Sequence, residues 1–157
     1  MRHCSGLILA TLLATVSTAQ AEAPVTSPDP DSRTVVYMDD AGRDLVLAEM
    51  RMFLEGVQQI TAGLAGENLD AAIAAARGLG LGAMGDVPPA VMQQLPLEFR
   101  QLGRSTHADF DQIAMDLETL GDRQHALRQL GDTLGKCVAC HATWRIERGD
   151  LERGLRP

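Results

Sequence analysis

The chain has 157 residues, with 14 Lys and Arg against 21 Asp and Glu, and a formal charge of −7. That balance argues against nucleic acid as a partner, since a basic patch is the least such binding needs. Aromatic residues make up 3% of the chain, so a core must be built from Leu, Ala, Val, Ile and Met, which leaves room for a flat apolar cofactor at its centre.

The first residues read as an export signal. Arg2 and His3 precede an apolar run from Leu7 to Val16, and Ala19-Gln20-Ala21 offers a small-x-small cleavage site. Residues 1–21 are therefore expected to be a signal peptide, with cleavage alternatively after Ala23. The run is too short and wrongly flanked to be a stable membrane anchor. Its removal takes Cys4 away and leaves Cys137 and Cys140 in a mature chain of about 135 residues, enough for one domain. Residues 22–38, with prolines at 24, 28 and 30, are expected to form a flexible lead-in.

Helical periodicity then dominates and strands have little support. Asp39 or Asp40 can cap a first helix whose apolar residues are Leu45, Leu47, Met50, Leu54, Val57, Ile60 and Leu64, ending near Gly63 to Gly66. Glu67-Asn68 starts a second, alanine-rich helix. The Gly-rich run from Gly78 to Gly85 stops it, and Pro88-Pro89 starts a short connecting turn. A third helix begins near Pro96 with Phe99, Leu102, Phe110, Ile113, Met115, Leu117 and Leu120. Gly121-Asp122 is a stop followed by a cap. The fourth helix carries Leu127, Leu130, Leu134, Val138 and Ile146. Four helices with short connections predict an all-α fold, an antiparallel four-helix bundle over residues 39–150, with a charged tail at 151–157.

The fourth helix contains Cys137-Val138-Ala139-Cys140-His141. Two thiols on successive turns can add to the two vinyl groups of one haem, and the adjacent His141 imidazole can then be an axial ligand to its iron. Export supports this reading, because bacterial c-type haem attachment is completed outside the cytoplasm. A zinc site wants four ligands, and only His107 and His125 remain to supplement the motif. A dithiol redox centre usually follows a strand in a βαβ setting, which this pattern lacks. Nor is there a Ser-His-Asp order or a phosphate-binding loop, so an enzyme of another class has no support.

The segment Cys137-Val-Ala-Cys-His-Ala-Thr-Trp144-Arg145, on the last of four helices behind a signal peptide, resembles the cytochrome c′ family, where an aromatic and then Arg or Lys commonly follow the histidine. The resemblance spans nearly the whole mature chain and implies a periplasmic protein with one covalent haem c, served by redox partner proteins and capable of forming a homodimer through its first two helices. It implies that Arg145 lies beside the haem and that the first helix supplies the residue facing the iron's other side. Low-spin members place a methionine there for electron transfer; high-spin members leave the iron five-coordinate, open to nitric oxide or carbon monoxide. Met50 shares the stripe of Leu54 and Val57, whereas Met52 points roughly 160° away, and Met50 lies about four turns before the Gly66-Glu67 break, as the distal position does in the family. Met50 is therefore the expected sixth ligand. The family's Arg-Gln pair before this position is replaced by Leu45-Val46, leaving Arg51 or Arg43 as substitutes. His107 reads as a polar-face histidine, His125 lies about three turns from Cys137, and Met84 and Met92 could ligate only if their loop folded over the haem.

Overall fold

A computed structural model describes residues 31–85 and 87–149. The expected signal peptide, most of the lead-in and the tail lie outside these residues. In order, the elements are strand β1 (Thr34–Met38), helices α1 (Asp40–Ala65) and α2 (Leu69–Gly78), a 3-10 turn (Leu81–Met84), helices α3 (Pro89–Gln94), α4 (Leu97–Leu120) and α5 (Arg123–Thr143), and strand β2 (Trp144–Arg148). The fold is predominantly α-helical, and α1, α2, α4 and α5 correspond to the four expected helices. No helix among the described residues is long and apolar enough to cross a membrane.

The helix ends follow their capping chemistry. Asp39 accepts a hydrogen bond from the Gly42 amide at 2.7 Å and exchanges two more with Gln94, whose side chain thereby ties α3 to the start of α1. Asn68 caps α2 through the Ala71 amide. Gly121, at φ 64°, ends α4 in the left-handed region that glycine tolerates, and Asp122 at once caps α5 through the amides of Gln124 and His125.

Packing proceeds from α1 to α2, from α2 to α4 and from α4 to α5, whereas α1 and α5 meet at few positions. The main core joins Ile60 and Leu64 of α1, Ala72 and Ala76 of α2, and Phe110 and Ile113 of α4, each buried. Gly63 lets α1 and α2 approach closely: a Cβ there would stand 2.8 Å from the Ala72 nitrogen. A second core gathers Val36 and Met38 of β1, Val46 of α1, and Val91 and Leu95 at α3, with Trp144 and Ile146 packed against them.

Three local expectations are corrected. The Pro88-Pro89 turn is the start of a short helix, with proline in its first turn. The last part of the expected lead-in is β1, whose Thr34-Val-Val-Tyr-Met38 run favours extended backbone. The fourth helix stops at Thr143, and Ile146 lies on a strand. β1 and β2 pair in parallel, from Thr34 opposite Trp144 to Met38 opposite Arg148, with the whole helical body as their connection. Residues 144–148 alternate with period two: Trp144 and Ile146 pack on the second core while Arg145 pairs with Glu147.

Because a side chain at Gly63 must push α2 away, Gly63→Val is expected to lower stability by about 1–3 kcal/mol, measurable as a lower urea midpoint at unchanged slope.

Candidate functional site

Where α1 and α5 fail to meet, a half-open cavity of about 250 Å³ remains, with overwhelmingly apolar walls. Its two long sides are the inward stripes of these helices. On α5 the stripe runs Ala126, Leu130, Thr133, Cys137 and Cys140, at alternating spacings of four and three; the first three are buried against the core and the two cysteines continue the line into the cavity. On α1 it runs Val46, Met50, Phe53, Val57, Ile60 and Leu64, of which Met50, Phe53 and Val57 face the cavity. The structure thus brings Cys137, Cys140 and His141 to one wall and Met50 to another wall of one cavity. Phe99, Leu102 and Gly103 of α4 form its floor.

Both cysteines are free and half-buried. The Cys137 thiol donates to the Thr133 carbonyl at 3.7 Å. Burial pushes both thiols above the ordinary range, and for Cys140 the neighbouring Cys137 adds to the effect. Such thiols stay protonated at neutral pH, the opposite of what thiol–disulfide exchange selects. His141 is exposed at the cavity's edge, and its backbone carbonyl accepts from the Arg33 guanidinium at 3.3 Å. Among the described residues no three His, Cys, Asp or Glu side chains gather closely enough to hold one metal ion; the two thiols and the imidazole follow one helix wall instead.

His107 corrects the sequence reading most sharply. Expected on a polar face, it is 2% exposed and lines the cavity. Its Nδ1 lies 2.6 Å from the Leu79 carbonyl oxygen and its Nε2 3.1 Å from Glu49 Oε1. A carbonyl and a carboxylate both accept, so making both bonds at once requires the ring to carry a proton on each nitrogen. Burial is the largest single influence and favours the neutral ring, but the Glu49 carboxylate with the Leu79 and Gly80 carbonyls outweighs it, and the His107 pKa is raised. Phe53, which the sequence reading also passed over, tilts against this ring with centroids 4.8 Å apart and stacks on Phe110 at 5.7 Å. Its place three residues after Met50 and four before Val57 was the available signal. For His107 the signal was its position between Gly103 and Phe110 on the inward side of α4.

Other sequence candidates lie elsewhere. Arg145 sits half-buried on β2, ion-paired with Glu147, and is not among the cavity walls. Trp144 stands behind the wall, edge-on to Phe99 at 5.5 Å. Met52 packs on the main core. His125 pairs with Asp116. Arg43 lies 3.8 Å from Asp44, and Arg51 is exposed. Met84 and Met92 line a smaller cavity of about 40 Å³ that shares Glu49, Phe99, Gly103 and His107 with the larger one.

The arrangement can hold a flat apolar group from one side by two thiols, offering it an imidazole nitrogen from α5 and a thioether sulfur from α1. Comparison with family models, curated proteins and solved structures returned no match for this chain.

The raised pKa of His107 links stability to pH. Its pairing contributes fully below about pH 6.5, the unfolded histidine value, and is lost as pH rises through the higher folded value. Wild-type stability measured by urea unfolding is therefore expected to fall on that limb, and His107→Asn is expected to flatten this part of the profile.

Proposed function

We propose that the chain is an exported mono-haem c-type cytochrome that carries one electron between redox partner proteins, with Cys137 and Cys140 holding the porphyrin, His141 as one iron ligand and Met50 as the other. The observation that carries this reading is a single cavity into which both thiols and His141 open from α5 and Met50 opens from α1.

The cavity's residues fit such a group in two further ways. Leu54, 72% exposed, lines it without apolar cover, and an apolar occupant would reduce that exposed surface. A Cβ on Gly103 would meet nothing within 4 Å, so the backbone of α4 can be approached closely at the floor. When bound, the haem would supply reversible one-electron chemistry at its iron. Phe53, Val57, Phe99 and Leu102 would keep water from one face, and the polar edge of that face is the Glu49–His107 pair. The raised thiol pKa values weigh against a thiol-redox role, and the helical packing of α1, α2, α4 and α5 is compatible with the four-helix arrangement of the cytochrome c′ family.

Periplasmic expression with the c-type maturation system, followed by a denaturing gel stained for haem, tests the cofactor. Wild type is expected to stain, and Cys137→Ala with Cys140→Ala to lose the stain. A colourless protein with two titratable thiols would end the proposal. Absorption spectra test the sixth ligand: a low-spin wild type is expected, becoming high-spin in Met50→Ala. A high-spin spectrum unchanged by that substitution would instead assign the chain to the five-coordinate class that binds nitric oxide or carbon monoxide.

A further inference from the structure

Arg100 lies on α4 between Phe99 and Gly103, both of which line the main cavity. Arg100 itself is a wall of the smaller cavity, which shares Glu49, Phe99, Gly103 and His107 with the larger one. The Nε of Arg100 is buried and has no hydrogen-bond partner, and none of the ion pairs among the described residues involves this side chain. A buried donor on a charged group without an acceptor is unfavourable, and a carboxylate is the acceptor whose two oxygens match the guanidinium fork. The carboxylate that lines the same small cavity, Glu49, is already engaged by His107. One turn further along, exposed Arg104 lines the same small cavity, adding to its positive character. The arginines that the sequence suggested for this task are placed otherwise, Arg43 beside Asp44 and Arg51 out in solvent.

We infer that Arg100 is the seat for a carboxylate of the occupant of the main cavity, which, on the reading proposed above, is a propionate of the haem. Arg100 is then a positioning residue: it fixes the depth and rotation of the porphyrin from the α4 side and places a positive charge near it. A cation there favours the ferrous state, because reduction adds an electron to the group it faces.

The test uses the haem-loaded protein throughout. Arg100→Met keeps most of the aliphatic stem and removes the charge; Arg100→Lys keeps the charge without the fork; Arg51→Met removes an exposed charge as a control. At a fixed applied potential, Arg100→Met is expected to lower the ferrous-to-ferric ratio at least threefold, about 28 mV for a one-electron couple. Arg100→Lys should recover most of that shift, and Arg51→Met should change the ratio little. A loss of structure alone would not be repaired by lysine in this way. If Arg100→Met carries haem at the wild-type ratio, or Arg51→Met shifts it equally, the inference is overturned while the haem reading stands. If Arg100→Met does not accumulate, Arg100→Lys is read against Arg100→Gln: a lower ratio in the glutamine variant alone supports the assignment, and equal ratios reject it. Absence of haem stain in wild type removes both readings together.

Discussion

The structure depends on α1 and α5 being held apart along the stretch where their stripes face the cavity, although they share the main core further along. Their inward residues, Met50, Phe53 and Val57 on α1 and Leu134, Cys137 and Cys140 on α5, face the same space. Two helices left to themselves would slide together and bury those side chains. They are prevented at both ends. At one end α2 and α4 intervene, with the close α1–α2 approach at Gly63 and the buried Phe110 and Ile113 filling the space between. At the other, the parallel ribbon sets the start of α1 and the end of α5 by strand pairing, a spacing that backbone hydrogen bonds dictate and side chains do not.

Within that frame, the Glu49–His107 pair is an unusual choice for an apolar wall. Burying an ion pair gains little net stability over well-packed hydrophobic residues, and here one member is almost wholly inaccessible. What the pair does contribute is geometry. Glu49 precedes Met50 on α1, and His107 on α4 grips both that carboxylate and the Leu79 carbonyl beyond the end of α2. One side chain thereby connects three elements around the cavity's inner edge and limits rotation of α1, on which the direction of Met50 depends. Phe53, lying against the same ring, adds a packing restraint in the same direction.

Much of this was legible in the sequence because its signals are local. Asp39, Asn68, Gly121 and Asp122 begin and end helices by hydrogen bonds within a few residues, so their roles could be read from spacing alone. Cys137, Cys140 and His141 were likewise marked by a short local motif and Met50 by its place on a helical stripe, and the structure sets them around one cavity. What escaped depends on partners far along the chain. Nothing near residues 144–148 says that they pair with residues 34–38, and the helical period through Ile146 competes with the weaker two-residue alternation of Trp144 and Ile146. His107 escaped for a related reason: its burial is stabilised by Glu49, 58 positions away, and by the carbonyl of Leu79. Arg145 followed from the family resemblance, whereas β2 turns it toward Glu147.

The parallel ribbon has a temporal consequence. Arg33 and the carbonyl of His141 are 108 positions apart, and β1 and β2 are separated by every helix in the fold. Contacts of such long sequence separation are entropically late to form, because the chain between them must first be ordered. The helices can assemble along neighbouring contacts while both ends of the domain are loose, and the strands close only when the body between them exists. Until then the end of α5, which runs directly into β2, is unfastened. Closing the ribbon is thus the step that fastens the start of α1 to the end of α5 and fixes the two helix walls that face each other across the cavity.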